Sequence, residues 1–287
     1  MKNRTATPGG CPRSDAIAAN ATGRRLCIVR STNLASNPLF EPANLIGAYR
    51  IHCRKMAASG DCSGLTATFT EVILVRHGET SWNASRIIQG HIDSELNDIG
   101  RQQAVAVGSH LSKEKNIVAI YSSDLKRAAE TARIIASTCN LPEVILDPSL
   151  RERHLGDLQG LTLRDAEKQK PIAYKHFLSA KRDQEISGGG ESLAQLHERC
   201  TSFLMNLSRK HKGERIIAVT HGGVLRELYK RASPTMLPNG KIKNTSINVI
   251  HINENDDKWA VKRWGDVGHL QGVVVKEDAF GGDGTSG

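Results

Sequence analysis

The sequence has no long hydrophobic run and few cysteines in its main part. No apolar stretch in the 287 residues approaches the roughly 20 residues that a membrane-spanning helix needs, so we expect no membrane anchor. Of six cysteines only Cys139 and Cys200 lie beyond residue 62, and the spacing of the six fits neither a zinc site nor a disulfide framework. We expect these two to be buried thiols of a protein in a reducing compartment.

Acidic residues are scarce in the first 70 positions, which contain nine Lys or Arg and three Asp or Glu, a net charge of +6. The whole chain carries +9, so the remaining residues carry only +3 and offer no clustered basic face for nucleic acid. We predict a flexible basic leader over residues 1–68. Its composition suits an organelle transit peptide, which would place the protein in a plastid. The alternatives are an ordinary extension, or a later start at Met56, of a cytoplasmic protein.

From residue 71 onward short apolar strands alternate with amphipathic helices. This alternation predicts an α/β fold, a three-layer α/β/α sandwich around a mostly parallel sheet. We assign the catalytic domain to residues 69–272 and a flexible tail to 273–287. The predicted strands are 71–76, 117–123, 143–147, 214–223, 245–252 and 258–265. The predicted helices are 96–115, with Asn97 or Asp98 as its N-cap, 124–139, others within 161–211 around a loop at 187–192, and 224–232.

Polar residues follow three of these strands. Arg76 and His77 end the first strand, Arg127 lies just after the second, and His221 and Gly222 follow the fourth. In parallel sheets ligands bind beyond the carboxyl ends of the strands, so we expect these residues to share one crevice. Arginine matches phosphate oxygens, glycine lets backbone amides approach an anion, and a neutral imidazole is a competent nucleophile towards phosphorus. The pattern predicts a phosphoryl site.

Five ordered motifs, "VRHGETSWN", "YSSDLKRAAETA", "LRERHLGDLQG", "GGGES" and "VTHGGV", resemble those of the histidine phosphatase superfamily, which includes the phosphoglycerate mutases. The resemblance covers about residues 70 to 270 and is strongest to the plant phosphoglycerate mutase-like proteins, which are related to metal-independent phosphoserine phosphatases. It implies the phosphoglycerate mutase-like fold and a phosphohistidine intermediate. It implies no metal ion and no cofactor, since arginines and histidines supply the positive charge.

The resemblance also implies roles for individual residues. His77 would be the nucleophile, Glu152 the proton donor and then the base, and a bound phosphate dianion would favour the protonated form of Glu152. Arg76 and His221 would stabilise the transferring phosphoryl group. The implied phosphate and substrate contacts are Asn83, Gln89, Gly90, Arg127 and Gly222, with Glu191 and Ser192 as weaker candidates. Alternatively, Asn83 could cap a turn and Glu152 could belong to a solvated charge cluster.

Three functions stay open on the sequence. The first is a metal-independent phosphatase acting on a small phosphorylated metabolite, with phosphoserine one candidate; the second is a phosphoglycerate mutase; the third is a non-catalytic binder of phosphorylated ligands. Mutases of this superfamily are expected to have a tyrosine where Leu155 stands and an Arg–Arg pair in the following insertion, and residues 156–190 contain no such pair. We therefore favour the phosphatase. A homodimer stays open.

Overall fold

The computed structural model describes residues 69–236 and 241–273. The predicted leader over 1–68 and nearly all of the predicted tail over 273–287 lie outside the described residues. Within the described residues, no helix combines the length and the apolar character needed to span a bilayer.

One six-stranded sheet forms the centre of the domain, in the order β3-β2-β4-β1-β5-β6. The strands are β1 (Thr70–Arg76), β2 (Ile117–Ser122), β3 (Ile145–Leu146), β4 (Arg215–Thr220), β5 (Ile247–Asn253) and β6 (Lys258–Asp266). β1, β4, β2 and β3 run parallel, whereas β5 and β6 add antiparallel pairs at the β1 side. The predicted mostly parallel sheet is confirmed.

Helices cover both faces of the sheet. They are α1 (Ser81–Ala84), α2 (Asp98–Leu111), α3 (Lys126–Cys139), α4 (Leu163–Gln169), α5 (Pro171–Phe177), α6 (Leu193–Lys210) and α7 (Gly222–Ala232). Alternate side chains of β1 point to opposite faces: Val72 and Leu74 belong to one core with α6 and α7, and Ile73 and Val75 to another with α2 and α3. Helices bury both faces of the sheet, as a parallel sheet requires, and the predicted three-layer sandwich is confirmed.

A third, smaller hydrophobic cluster lies in the segment between β3 and α6. It joins Leu155 and Leu158 to side chains of α4 and α5, to Ile186 and to Ile88. Two backbone hydrogen bonds join this segment to the loop after α1: the Ile88 N–H donates to the Leu161 carbonyl, and the Gly160 N–H donates to the Ile88 carbonyl. The segment therefore packs against the loop that carries Gln89 and Gly90.

Several element boundaries differ from the sequence predictions. β3 has two residues rather than the five of 143–147, and both are exposed, because it is an edge strand paired only with β2. The second helix is shorter than 96–115, with Asn97 as its N-cap. α3 begins at Lys126 rather than 124, since the Asp124 carboxylate instead pairs with Arg151.

Candidate active site

The carboxyl ends of β1 and β4 bring two histidines together. The His77 N–H donates to the Thr220 carbonyl at 2.9 Å, which continues the pairing of these strands beyond Arg76. The rings of His77 and His221 lie with their centroids 5.1 Å apart and tilted by 54°. Both residues are almost fully buried, with 2% and 0% of their surface exposed. The expectation that residues from distant parts of the sequence share one crevice holds for these two strand ends.

One hydrogen bond determines which ring nitrogen of His77 is reactive. Nδ1 lies 2.7 Å from the Gly78 carbonyl oxygen, which can only accept, so Nδ1 carries the proton. Nε2 therefore keeps its lone pair. Burial, and then the positive charges of Arg127 and Arg76, hold the pKa of His77 well below its usual value of 6.5, against the opposing effect of the Gly78 hydrogen bond. The imidazole is thus neutral and nucleophilic at neutral pH.

His221 is buried, and among the described residues neither of its ring nitrogens has a hydrogen-bond partner. Burial first, and then Arg127 and the neighbouring His77, lower its pKa well below 6.5. A buried polar group without a partner costs free energy, so the imidazole is poised for a ligand that accepts or donates a hydrogen bond there.

Two buried arginines supply the positive charge. Arg127 is 1% exposed, and its two terminal nitrogens donate to the carbonyls of Ile92 and Gly90 at 3.0 and 2.8 Å. Burial lowers the pKa of Arg127 to about 10, although Glu152 and Asp93 raise it, so the group stays a cation at pH 7. Nη1 of Arg76 donates to the Ile242 carbonyl at 2.7 Å. Neutral carbonyls thus help to orient both guanidinium groups.

Glu152 lies against the amino end of α7. Both carboxylate oxygens accept from the Gly223 N–H at 3.1 Å, and Oε1 also accepts from the N–H of Arg153 at 2.9 Å. The positive end of the helix macrodipole favours a carboxylate there. The carboxylate thus lies at the helix end that begins with His221 and Gly222, and its negative charge raises the pKa of Arg127.

The remaining predicted contacts lie around this centre. The Asn83 side chain forms a capping box with Thr80 at the start of α1, as the alternative interpretation held, and its Oδ1 also faces the side-chain amide of Asn244 at 3.4 Å. Gln89 is buried and its Oε1 accepts from the Thr80 and Ser94 hydroxyls.

Gly90 occupies a position that suits glycine, and Gly222 lies at the start of a helix. Gly90 has a φ of +52°, and an added Cβ would lie 2.1 Å from Oε1 of Gln159. Gly222 opens α7, so this helix starts two residues earlier than the predicted 224 and His221 is its N-cap. His221 and Gly222 consequently lie at a helix amino terminus, which is a general anion-binding feature.

Sequence reasoning missed two residues that organise the site. Asn244 Nδ2 donates to the His77 carbonyl at 2.9 Å, from a loop that no motif marked. Arg199, on α6, donates to the backbone carbonyls of Ser149, Arg151 and Glu152. The only signal for Arg199 was its place eight residues after Glu191 in the helix that follows the "GGGES" loop. The weaker candidates are structural in this arrangement: Ser192 caps α6 and Glu191 pairs with Arg199.

The chemistry of the site follows from these contacts. The carboxyl edge of the sheet carries a lone-pair nitrogen, two guanidinium groups, an imidazole without a hydrogen-bond partner among the described residues, and a carboxylate. Guanidinium groups and a helix amino terminus suit phosphate oxygens. Within residues 69–236 and 241–273 there is no group of three or more His, Cys, Asp or Glu residues that could hold a metal ion.

Comparison with known proteins agrees with the resemblance seen in the motifs. Residues 72–267 match the model of the histidine phosphatase superfamily, branch 1. Phosphoglycerate mutase-like protein 4 of Arabidopsis thaliana is 57% identical over 219 residues, which cover 76% of this chain and 95% of that protein. The metal-independent phosphoserine phosphatase of Arabidopsis thaliana is 51% identical over 214 residues, covering 75% and 89%.

Comparison with solved structures leads to the same family. The phosphoserine phosphatase of Entamoeba histolytica in complex with 3-phosphoglyceric acid is 31% identical, with a TM-score of 0.61, over 70% of this chain and 99% of that one. A mutant of that phosphatase in complex with phosphoserine is 30% identical, with the same TM-score and the same coverage. The predicted fold and the predicted enzyme class are confirmed. The chain belongs to the histidine phosphatase superfamily, in its branch 1.

Proposed function

We propose that this chain hydrolyses a small phosphomonoester without a metal ion, through a phosphohistidine on His77, and that phosphoserine is the first substrate to test. The observation that carries the proposal is the hydrogen bond from Nδ1 of His77 to the Gly78 carbonyl, because it leaves Nε2 as a buried, neutral nucleophile between cations. Two relatives named for phosphoserine phosphatase activity support the choice of substrate.

The first half-reaction transfers the phosphoryl group to the enzyme. The lone pair of His77 Nε2 forms a bond to phosphorus while the ester P–O bond breaks. Arg76, Arg127 and His221 stabilise the charge on the phosphoryl oxygens, which is the main requirement of phosphoryl transfer. The Glu152 carboxyl group gives a proton to the departing alkoxide, so that the alcohol leaves neutral.

The second half-reaction returns the enzyme to its starting state. Glu152, now a carboxylate, accepts a proton from a water molecule as the water oxygen attacks phosphorus. The P–N bond breaks, the electron pair returns to Nε2, and inorganic phosphate leaves. Proton donor and base are the same residue, as microscopic reversibility requires. The protein residues supply every charge that this sequence of steps uses.

The position of Leu155 favours hydrolysis over phosphoglycerate mutase activity. A mutase must hold a bisphosphate intermediate long enough for it to turn round, and we expect a tyrosine at this position in mutases. Leu155 is 3% exposed and packs with Leu158 and Ile186 in the small hydrophobic cluster. An apolar side chain turned into that cluster offers no hydrogen bond to an intermediate, so water would attack the phosphohistidine instead.

The test measures two products separately with the full chain in EDTA. Phosphoserine and 3-phosphoglycerate are supplied in turn, the latter with and without 2,3-bisphosphoglycerate, and free phosphate and 2-phosphoglycerate are quantified. We expect phosphate release that chelation leaves unchanged. Isomerisation that depends on the bisphosphate would support the mutase, and absence of turnover of every phosphomonoester would support the non-catalytic binder.

A histidine pair provides the matched variants. His77→Ala should abolish phosphate release, because it removes the nitrogen to which the phosphoryl group is transferred. His110→Ala should retain the wild-type rate, since His110 lies in the last turn of α2 and is not one of the proposed site residues. Equal rates for the His77→Ala variant and the wild type would refute the proposed nucleophile.

A further inference from the structure

One arginine donates to several carbonyls of the backbone segment that carries Glu152. From α6, Nη1 of Arg199 donates to the carbonyls of Ser149 and Arg151 at 2.8 and 2.9 Å, and Nη2 donates to the carbonyl of Glu152 itself at 3.2 Å. The segment has little regular structure of its own, only a three-residue 3₁₀ turn over Pro148–Leu150. This guanidinium therefore helps to fix its conformation, together with the His91 ring, whose Nε2 lies 2.6 Å from the Glu152 carbonyl, and the Thr220 hydroxyl, which donates to the Leu150 carbonyl at 2.8 Å.

Glu191 fixes Arg199 and grips the residues that follow Glu152. Its carboxylate accepts from Nε and Nη2 of Arg199, both at 2.9 Å, which is the planar two-pronged geometry that arginine and carboxylate prefer. Oε2 also accepts from the His154 N–H at 2.9 Å, and the Glu191 N–H donates to the His154 carbonyl at 2.8 Å. The Glu191 carbonyl accepts from Nε of Arg153 at 2.9 Å. The two residues together brace the backbone before, at and after Glu152.

The pair is built to stay charged and in place. The side chains of Arg199 and Glu191 are 21% and 20% exposed, so solvent screens them less than a surface pair. Burial alone would raise the pKa of Glu191, but hydrogen bonds and charge from Arg199, with the His154 N–H, hold it below its usual value. Arg199 donates to the backbone carbonyl of Glu152, so this hydrogen bond acts on proton transfer through the position of the carboxyl group.

We propose that Arg199 and Glu191 are positioning residues that aim the Glu152 carboxyl at the leaving-group oxygen. This inference rests on the proposed function and adds a residue pair to it. Proton transfer requires the donor within hydrogen-bond reach of the oxygen, and a displacement of about 1 Å can cost on the order of 10²-fold in rate. Loss of the brace should slow the step that needs the proton and leave phosphate binding largely unchanged.

The leaving group separates this role from a merely structural one. The alkoxide of phosphoserine is a strong base that must be protonated as it departs, whereas p-nitrophenolate is a weak base that leaves without a proton. Misplacement of Glu152 therefore slows transfer from phosphoserine to His77 but not transfer from p-nitrophenyl phosphate. General damage to the phosphate site would slow both transfers equally.

The experiment compares Arg199→Lys and Glu191→Gln with the wild type in the full chain. Rapid-quench measurements follow the formation of phosphoenzyme from phosphoserine and from p-nitrophenyl phosphate, and Glu152→Gln serves as the reference for complete loss of the proton donor. Arg209→Lys is the matched control, because Arg209 is exposed on the same helix and donates to the Asn206 side chain rather than to the Glu152 segment. Thermal unfolding of each variant shows that it is folded at the assay temperature.

We expect Arg199→Lys to slow phosphoenzyme formation from phosphoserine by about 10- to 100-fold, with transfer from p-nitrophenyl phosphate within about threefold of wild type. Glu191→Gln should do the same more weakly, and it replaces the arginine variant if that one does not fold. Equal losses with both substrates, or no loss with either, would overturn the inference. A wild-type enzyme that forms no phosphoenzyme from either substrate would instead refute the proposed function itself.

Discussion

Arg127 should act on the reaction in two separable ways. One is through its fork of hydrogen-bond donors, the two terminal nitrogens of the guanidinium group, and the other is through its positive charge. The fork is held by the carbonyls of Gly90 and Ile92, and the charge lowers the pKa of both His77 and His221. Arg127→Ala removes the fork and the charge. Arg127→Lys removes the fork and keeps the charge. Comparing the two variants assigns each effect to its cause.

The size of the loss follows from hydrogen bonds to charged groups, each worth about 1.5–3 kcal/mol. Two such bonds to phosphoryl oxygens amount to about 3–6 kcal/mol, so at about 1.4 kcal/mol per tenfold we expect Arg127→Ala to lower kcat/KM by roughly 10²- to 10⁴-fold. Arg127→Lys, which can still offer one contact, should lose about 10- to 100-fold. Thermal unfolding is the control, because both changes alter the donors available to the Gly90 and Ile92 carbonyls.

The effect of the Arg127 charge on His77 is measured from the pH dependence of kcat/KM. A positive neighbour disfavours the imidazolium, so Arg127 lowers the pKa of His77, and its removal must raise that pKa. The acidic limb, where His77 becomes protonated and unreactive, should move to higher pH in Arg127→Ala and stay near the wild-type position in Arg127→Lys. Ratios to the wild type at each pH cancel the titration of the substrate phosphate. A limb that moves to lower pH, or shifts equally in both variants, would refute this reasoning.

Three further outcomes are expected. Gly90→Ala should destabilise the fold by about 1–2 kcal/mol, measured by chemical denaturation, because alanine is strained at this left-handed φ and its Cβ would meet Gln159. Ser192→Ala should cost about 1 kcal/mol of unfolding free energy through loss of the α6 capping box, and an unchanged denaturation midpoint would contradict that. The free energy of unfolding should fall as pH drops below 6.5, because the unfolded chain takes up protons that the buried His77 and His221 resist, and the double variant His77→Ala/His221→Ala should flatten this slope.

Much of the fold was predictable because its signal is local. The apolar, β-branched run at 71–76 and the "IIAVT" run before His221 mark central strands that are buried on both faces, and the structure has them as β1 and β4. Asn97 or Asp98 was predicted as the cap of α2 because both residue types favour that position, and the structure has Asn97, whose side chain accepts from the N–H three residues on. The length of β3 was not predictable, since an exposed two-residue edge strand depends on its partner rather than on its own sequence.

The site was predictable where it follows a strand and not where it depends on tertiary contacts. The crevice at the strand ends gathers Arg76, His77 and His221, which topology alone implies. The nucleophilic nitrogen of His77 could not be chosen without the Gly78 contact, and the tie between Arg199 and the Glu152 segment spans nearly 50 residues. The roles of the individual site residues, the transit function of the leader and a homodimer stay predictions.

The most direct test of the central claim is to isolate the phosphoenzyme. Full-length protein is quenched in alkali while it turns over radiolabelled phosphoserine in EDTA. The protein is then digested, and the labelled peptide is identified. We predict a phosphoramidate that is stable in alkali and labile in acid, located at His77 and absent from the His77→Ala variant. Label on a different residue, or rapid turnover with no covalent phosphate at any time point, would contradict the account.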